Sequence, residues 1–224
     1  MILYRDSRFV VVDKPAGVIV HRGWADDDDP LLQVVRDAVG AWVYPIHRLD
    51  RGASGCVAFA LDAAAARAAC DAFAAGDADK RYLAITRGHP PDEVVIDHPI
   101  PRAPGEERVP AVTAIRRIET FGRYAVVEAC PRTGRLHQIR RHLKHIACPL
   151  IGDVKYGKGE HNRIFRADHG LHRLALHASR LAFPHPDGGM VVADAPLPDD
   201  LAAAIASARA AYAGLPRTAP PPPA

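Results

Sequence analysis

Short apolar runs separated by turn residues open the chain. Residues 8–13 contain Phe-Val-Val-Val and predict a strand, closed by Lys-Pro-Ala-Gly at 14–17, after which residues 18–20 resume extended structure. Residues 31–39 have the apolar spacing of a helix, and Gly40 suits a left-handed end to it. The pattern predicts a compact β-turn-β-α unit.

The next segment repeats this alternation with a longer helix. Residues 55–61 are almost wholly apolar and predict a buried strand. Asp62 can then cap an alanine-rich helix that runs to about Ala75 and stops at Gly76. Residues 81–86 predict a further strand.

The second half begins with an irregular stretch. Proline and charge density predict a surface excursion over residues 89–109, whereas residues 111–119 and 124–130 predict a hairpin. Residues 135–147 predict a helix with one apolar and one basic face. Several strands with two or three interleaved helices predict an α+β fold: a mixed, mostly antiparallel central β-sheet with a few flanking helices.

Length and composition fit this picture. With 224 residues, 48% of them apolar and 25% charged, the chain predicts one globular domain over residues 1–215 and a proline-rich, disordered tail over residues 216–224. It shows neither a secretory leader nor an apolar run of membrane-spanning length, so we expect a cytoplasmic protein. The four cysteines lack any C-x-x-C pairing and stand among apolar neighbours, which is typical of buried reduced thiols.

Positive charge is concentrated in one part of the chain. The net charge is only +3, yet residues 132–180 hold 11 Lys and Arg against 3 Asp and Glu, together with seven of the twelve histidines. A block of net charge +8 predicts a polyanionic partner.

One acidic residue is placed where chemistry is plausible. Asp50 lies in a loop just before the predicted buried strand, between Arg48 and Arg51. Adjacent positive charge keeps a carboxylate ionised, and an ionised carboxylate can act as a nucleophile or a base. The alternative is a loop aspartate that only pairs with a neighbouring arginine.

A basic segment is the second candidate. Residues 132–143 join a glycine-containing turn to the basic helix, whose first N–H groups and arginines suit phosphate or carboxylate binding. The alternative is an ordinary solvated face. The cluster of His137, His142, His145 and Cys148 raises a zinc hypothesis, but it lacks an H-E-x-x-H arrangement and a separate acidic ligand, so we expect no metal site.

Four motifs occur together and in a fixed order: His47-Arg48-Leu49-Asp50, Lys80-Arg81-Tyr82, the Thr-Gly-Arg-x-His-Gln-x-Arg run at 133–140, and Gly152-Asp153-x-x-Tyr156-Gly157. In this order they resemble the RluA family of pseudouridine synthases over roughly residues 8–195. The resemblance implies the pseudouridine synthase catalytic fold and an isomerase that converts uridine to pseudouridine in structured RNA. The reaction changes no oxidation state and imports no group, so no cofactor is expected.

The resemblance also implies roles for individual residues. Asp50 is the expected catalytic carboxylate, Tyr82 the active-site tyrosine beneath the target ring, and Arg140 the arginine that pairs with the aspartate. Arg48 is expected to replace the flipped base in the RNA stack. Taken from the residues alone, Tyr82 is better interpreted as an ordinary strand aromatic, and the alternative role of Arg48 is that of a second partner for Asp50. Phosphate contacts are expected from the basic block, at Arg132, Arg135, Arg141, Lys144 and Lys155.

The substrate is the least determined property. The stretches His21-Arg22-x-Trp24, Asn162-Arg163 and 171–178 are similar to those of relatives that act on bacterial tRNA, which implies a uridine at position 65 of the T stem. Many relatives carry a small RNA-binding domain ahead of the catalytic one; we expect this chain to lack it and to act as a monomer that binds RNA through its basic block. Two positions depart from the family pattern, Ala53 in place of threonine and Cys56 in place of a larger aliphatic residue.

Three alternatives stay open from the sequence. The first is an RluA-type synthase that acts on ribosomal RNA or another tRNA position. The second is an RNA-binding module with an idle active site. The third is a metal-dependent hydrolase that uses the histidine-rich segment.

Overall fold

The computed structural model describes residues 1–21, 30–103 and 105–213. Its helices are α1 Leu31–Val39, α2 Ala63–Ala75, α3 Gln138–His145, α4 Gly159–Asp168 and α5 Asp199–Ala211. Its strands are β1 Ile2–Arg5, β2 Phe9–Lys14, β3 Tyr44–Pro45, β4 Ser54–Ala60, β5 Asp79–Arg87, β6 Glu93–Asp97, β7 Ile100–Pro101, β8 Arg108–Val109, β9 Val112–Phe121, β10 Tyr124–Pro131, β11 Leu176–Pro184 and β12 Met190–Asp194.

The chain divides into two compact units. The first contains Met1–Lys80 and Ala178–Pro196, and the second contains Arg81–His177 and the residues from Leu197 onward. Asp50 and Arg48 therefore belong to the first unit, and Tyr82 and Arg140 to the second. The predicted tail at 216–224 lies outside the described residues, as do Arg22 and Trp24.

The first unit is built on the strand order β1-β2-β4-β11, with β12 paired to β11 and β3 to β4. Strands β2 and β4 are antiparallel, with Phe9 opposite Ala60. Every residue of β4 is buried, as its apolar sequence predicts for a strand covered on both faces. Phe9 and Phe183 pack edge to face in the core, against the buried alanines of α2.

The second unit has the strand order β5-β10-β9-β6, and its neighbouring strands are antiparallel. Its core surrounds Tyr124, which is fully buried and makes edge-to-face contacts with Phe165 of α4 and Tyr212 at the end of α5. The small hairpin β7-β8 stands apart from this sheet as a two-stranded pair.

The predicted α+β fold with mostly antiparallel strands and flanking helices is confirmed, and several elements match closely. Helix α1 ends at Gly40 with φ of 76°, as predicted. Helix α2 is capped by Asp62, whose carboxylate accepts from the N–H of Ala65, and it ends at Gly76 with φ of 90°. Strands β9 and β10 form the predicted hairpin. No helix in the described ranges is long and apolar enough to cross a membrane.

Other predictions were wrong. Residues 18–20 form no strand, and the excursion at 89–109 contains β6, which pairs with β9 along its whole length. Helix α3 is shorter than predicted, since His137 takes a left-handed conformation with φ of 54° and the helix begins only after it. The described residues form five helices where two or three were expected, and the helices that were not predicted are α4 and α5.

The cysteines are free thiols, but not all of them are buried. Cys56 and Cys148 are buried, Cys130 is partly buried and Cys70 is exposed on α2. Burial raises the pKa of the Cys56 thiol to about 12. Cys70 corrects the prediction, because the buried residues of α2 are Ala65 and Ala69 and the apolar neighbours of Cys70 in the sequence do not bury it.

Candidate functional site

The loop that carries Asp50 is held by a buried lysine. Lys14 ends β2 and has no exposed surface. Its Nζ donates to the carbonyls of Pro15 at 2.9 Å, Val18 at 2.7 Å and Arg51 at 3.3 Å. Charged donors make the stronger protein hydrogen bonds, so Lys14 fixes the residue that follows Asp50 to the turn at 14–18.

A second set of contacts closes the same loop. The Gly17 N–H donates to the Arg51 carbonyl at 2.8 Å, and Arg51 Nε donates to the Gly17 carbonyl at 2.9 Å. The Ala53 N–H donates to the Asp50 carbonyl at 3.0 Å, which makes a tight turn at 50–53. The backbone on both sides of the Asp50 carboxylate is therefore fixed, while the carboxylate itself is only partly buried.

The loop leads into β4 through a glycine that no other residue can replace without strain. Gly55 has φ of 108°, and a Cβ added there would lie 2.2 Å from the carbonyl oxygen of Ala178. Ala53, where the family pattern has threonine, is 1% exposed and belongs to the buried interior. This explains why a methyl group is accommodated there.

His47 and Arg48 have opposite environments. His47 Nε2 accepts from the N–H of Ala58 at 3.2 Å, and its ring stacks on Phe73 with centroids 5.2 Å apart. Burial, together with the positive charge of Lys80, lowers the pKa of His47 to about 4. His47 is thus a neutral structural residue that aligns the loop with β4, whereas Arg48 is exposed.

In the second unit, Gln138 fixes the start of α3. Its Oε1 accepts from the Thr133 hydroxyl and the Arg135 N–H, and its Nε2 donates to the carbonyl of Val112 and the hydroxyl of Thr113. All four hydrogen-bonding positions of this buried amide are used. The Gln of the 133–140 motif therefore ties the helix to the beginning of β9.

Arg140 of α3 is held by a buried carboxylate. Its Nε and Nη2 donate to Asp153 Oδ2 and Oδ1 at 2.7 and 2.9 Å, and the Asp153 side chain has no exposed surface. Asp153 Oδ1 also accepts from the N–H groups of Lys155 and Tyr156, each at 2.9 Å. Burial raises the pKa of Asp153, but the hydrogen bonds from Arg140 and from these N–H groups outweigh it and leave the pKa below its ordinary value.

The loop that contains Asp153 depends on close backbone packing. A Cβ on Gly152, whose φ is 75°, would lie 1.9 Å from the Arg173 carbonyl oxygen, and one on Gly157 would lie 2.3 Å from the Asp153 carbonyl oxygen. Asn162 of α4 bonds both sides of the turn, accepting from the Gly152 N–H and donating to the Asp153 carbonyl. Both glycines of the Gly-Asp-x-x-Tyr-Gly motif are therefore required by space.

Tyr82 lies on β5 opposite Ala129 of β10 and is partly buried. The two residues before it differ in exposure: Lys80 is 8% exposed, whereas Arg81 is exposed. The Nζ of Lys80 lies 5.6 Å from the centroid of the Phe73 ring. Burial lowers the pKa of Lys80.

The expected RNA-binding residues fall into two groups by exposure. Arg141 is partly buried and donates to the Tyr156 hydroxyl at 3.0 Å and to the Pro101 carbonyl at 2.7 Å, so it also has a structural role. The remaining residues are exposed: Arg48, Arg132, Arg135, Lys144 and Lys155.

The histidine-rich segment has other partners than a metal. His142 is fully buried between the Thr113 hydroxyl at 2.9 Å and the His98 carbonyl at 3.0 Å, and His137 Nδ1 lies 3.1 Å from the Tyr156 hydroxyl. No group of three or more His, Cys, Asp and Glu with the geometry of a metal site occurs in residues 1–21, 30–103 and 105–213.

Sequence reasoning overlooked the residues that support the site. They are Lys14, Gln138, Asp153 and Tyr156, and the last three stand in motifs in which they served only to identify the family. Lys14 carried a usable signal, since a lysine within a strand that begins with four apolar residues is unusual. The partners of Gln138 are distant in sequence and could not be read from it.

Comparisons with known proteins agree with the motifs. Residues 8–145 match the profile of the family described as RNA pseudouridylate synthase. The chain is 38% identical to tRNA pseudouridine synthase C of Vibrio parahaemolyticus over an alignment of 208 residues. This alignment covers 83% of this chain and 85% of the relative. The chain is 40% identical to the protein of the same name from Pasteurella multocida, covering 83% and 86%.

Solved structures give the same result for the fold. Human RNA Pseudouridylate Synthase Domain Containing 4 aligns with a TM-score of 0.77 at 27% identity, over 93% of this chain and 92% of that one. Human RNA Pseudouridylate Synthase Domain Containing 1 aligns with a TM-score of 0.74 at 28% identity, over 88% and 83%. The chain therefore belongs to the RluA-type RNA pseudouridylate synthases and is an isomerase that converts uridine in RNA to pseudouridine.

Proposed function

We propose that this synthase modifies the uridine at position 65 in the T stem of tRNA, with Asp50 as its catalytic carboxylate. The proposed substrate is supported by sequence identities of 37–40% to several relatives named tRNA pseudouridine synthase C, over 83% of this chain. The observation that supports Asp50 is its loop, in which backbone contacts on both sides fix the chain and leave the carboxylate partly accessible.

The reaction needs one ionised carboxylate and a base that stays trapped. The bond between N1 of uracil and C1′ of ribose breaks, the base turns, and C5 bonds to C1′. Asp50 can attack C1′, add to the uracil ring, or take a proton from the sugar to form a glycal. Each route requires a fixed carboxylate, which the contacts of Lys14 and Gly17 to Arg51 supply.

The partners of Asp50 follow from the family motifs. Tyr82 stacks beneath the target ring and Arg140 pairs with the Asp50 carboxylate. The bidentate contact to Asp153 uses Nε and Nη2 of Arg140, which fixes the orientation of the guanidinium. Arg48 is exposed, as a side chain that replaces the flipped base in the RNA stack must be.

Binding of the RNA rests on the basic block. The exposed Arg132, Arg135, Lys144 and Lys155 contact phosphates, and Arg141 contributes from its partly buried position. A folded stem is then recognised by its shape and its phosphate spacing. The cytoplasmic location and the monomeric state expected from the sequence remain predictions.

One experiment tests the substrate. Purified protein is incubated with unmodified transcripts of tRNA and of ribosomal RNA, and pseudouridine is mapped at single-nucleotide resolution. We expect product at position 65 of tRNA and no product in ribosomal RNA. Product confined to ribosomal RNA, or to another tRNA position, contradicts the proposed substrate and leaves the synthase activity in place.

A pair of variants tests the carboxylate. Asp50→Asn should lower isomerisation by at least about 1,000-fold, because the amide is neither a nucleophile nor a base. Its tRNA affinity should stay within about threefold of wild type, since the change adds no bulk. The matched control is Asp71→Asn, an exposed carboxylate on α2 of the same unit. Undiminished product from Asp50→Asn would remove Asp50 from its role.

A further inference from the structure

Four cationic side chains surround one tyrosine ring in the second unit. The charged ends of Arg140, Arg141, Lys144 and Lys155 lie 5.1, 5.8, 5.8 and 5.7 Å from the centroid of the Tyr156 ring. We name Tyr156, Arg141, Lys144 and Lys155 the Tyr156 cluster. The negative face of an aromatic ring attracts each cation individually, but the cations repel one another.

The residue at the centre, Tyr156, is held by three polar contacts. Its hydroxyl accepts from Arg141 Nε at 3.0 Å and lies 3.1 Å from Nδ1 of His137. Its backbone N–H donates to Asp153 Oδ1 at 2.9 Å. Tyr156 is thus a rigid platform that holds cations from α3 and from the loop at 152–157 around it.

The negative charge nearby does not balance this group. Asp153 is fully buried, and its oxygens accept from Arg140 and from the N–H groups of Lys155 and Tyr156. Within the described parts of the chain, neither Arg141 nor Lys144 nor Lys155 forms an ion pair with a carboxylate. Three cations therefore remain without a protein counter-charge around one platform.

Beyond the individual phosphate contacts proposed above, we propose that Tyr156 positions Arg141, Lys144 and Lys155, so that the Tyr156 cluster forms one preorganised subsite for the phosphate backbone of the substrate RNA. Arginine and lysine at the rim bind phosphate oxygens, and the fixed ring reduces the conformational entropy that these long side chains lose on binding. Val154 of the same loop is 89% exposed, which gives a ribose a non-polar surface beside Lys155. The choice of tRNA as the probe rests on the proposed function.

The salt dependence of RNA binding tests the subsite. Affinity for an unmodified tRNA transcript is measured between 50 and 300 mM salt for the wild type and for Lys144→Gln/Lys155→Gln. Each lost phosphate contact lowers the slope of log affinity against log salt by about 0.7–0.9. We expect the double variant to lose between one and two units of slope and to bind about tenfold more weakly at 100 mM salt. A slope equal to wild type overturns the proposal.

Two further variants separate the platform from plain charge. Tyr156→Leu removes the ring and keeps every cation, so the proposal expects a weakening of about fivefold or more, whereas Tyr156→Phe keeps the ring and should weaken binding less. Tyr156→Leu with wild-type affinity and correct folding by circular dichroism contradicts the positioning role. The charge control is Arg5→Gln/Arg67→Gln, which removes two exposed cations of β1 and α2 that lie outside the basic block; its slope should stay within about 0.3 of wild type.

The subsite and the proposed function can fail separately. If the wild type forms no pseudouridine in tRNA but does so in ribosomal RNA, the proposed substrate fails, and the same salt series is repeated with the ribosomal transcript. If the wild type modifies tRNA and the double variant keeps its full slope, only the subsite fails.

Discussion

Two loops, one in each unit, use a buried charge of opposite sign for the same purpose. In the first unit Lys14 donates to three backbone carbonyls and holds the loop of Asp50. In the second unit Asp153 accepts from two backbone N–H groups and from Arg140. In both, the buried charge bonds to backbone groups of its own loop, and Asp153 bonds to the Arg140 guanidinium as well, so the loop conformation and the buried ion each require the other. A loop near reacting groups can thereby be rigid although it lies outside any helix or strand.

The loops differ in what the buried charge holds. The hydrogen bonds from Lys14 Nζ to Pro15, Val18 and Arg51 all go to backbone carbonyls, so their effect on the chemistry is indirect, through the position of residues 50 and 51. Asp153 contacts the guanidinium of Arg140 directly, and that guanidinium belongs to the proposed active site. Substitutions in the two loops should therefore differ in stability, in activity and in pH dependence.

The largest effect should come from the glycine that each loop requires. Gly55→Ala and Gly152→Ala each place a Cβ within 2.2 Å of a carbonyl oxygen in a left-handed conformation. We expect each to lower the free energy of unfolding by about 4 kcal/mol, measured by urea denaturation. Gly134→Ala is the control, because nothing lies within 4 Å of its added Cβ; it should change the free energy by less than about 1 kcal/mol. Equal losses at all three positions would show that close packing is not the cause.

The buried carboxylate comes next. Asp153→Asn turns an amide N–H group toward donors and removes the buried carboxylate that bonds Arg140 through both of its oxygens, so we expect a loss of about 3 kcal/mol. The control is Asp200→Asn, which removes an equally bidentate contact to Arg173 at 2.6 and 2.8 Å. The Asp200 side chain is 47% exposed, so this loss should be about 1 kcal/mol or less.

The rate of isomerisation also distinguishes Asp153→Asn from Asp200→Asn. Asp153→Asn should lower isomerisation at saturating RNA by about 100-fold even at temperatures where the protein is folded, because the Arg140 guanidinium loses its orientation. Asp200→Asn should keep the wild-type rate. If both variants lose stability but neither loses rate, Asp153 serves only the fold.

The buried lysine should have a smaller effect on stability. Lys14→Met leaves three carbonyls without their donor but also removes a buried charge, and the two effects partly cancel, so we expect a loss of about 2 kcal/mol. Lys80→Met is the control, because Lys80 is also buried but its Nζ lies over the Phe73 ring; its loss should be below about 1 kcal/mol. Hydrogen exchange of residues 50–54 should rise in Lys14→Met alone.

The local elements were predictable because their signals lie within a few residues. The caps of α1 and α2, the buried β4 and the hairpin β9-β10 each combine an apolar period with a turn residue at its end. The motif residues Asp50, Tyr82 and Arg140 could be located by the same kind of local pattern. The sequence does not reveal which distant groups form hydrogen bonds with these residues.

The failures share one physical cause. Strand β6 reads as an irregular stretch because only Ile96 of its five residues is buried, and its pairing with β9 is decided by tertiary structure. The start of α3 was misplaced because Gln138 bonds to Thr113 and Val112, about 25 residues away, and the turn before the helix adapts to that contact. Lys14 and Asp153 are likewise defined by partners that no local pattern reveals.

The smallest effect concerns the response of the two loops to acid. The folded pKa of His47 is about 4, below its ordinary value of 6.5, so the unfolded chain binds more protons between these values and stability falls as the pH drops from 6.5. Asp153 has a lowered pKa, so its contribution is present above the ordinary value of 3.8 and is lost only as the pH falls below it. The Asp50 loop should therefore weaken first.

The variant His47→Gln separates the pH range in which His47 affects stability from the lower range in which Asp153 does. Glutamine can accept a hydrogen bond from the Ala58 N–H and does not titrate. Between pH 6.5 and 5 the wild type should lose about 1.5 kcal/mol more free energy of unfolding than His47→Gln does, from urea denaturation at each pH. Other histidines with lowered pKa, such as His142 and His161, are present in both proteins and cancel in the difference. The control His172→Gln changes an exposed ring and should keep the wild-type curve. Parallel curves for the wild type and His47→Gln would mean that folding does not lower the pKa of His47, which would contradict the role of a neutral His47 ring in aligning the Asp50 loop with β4.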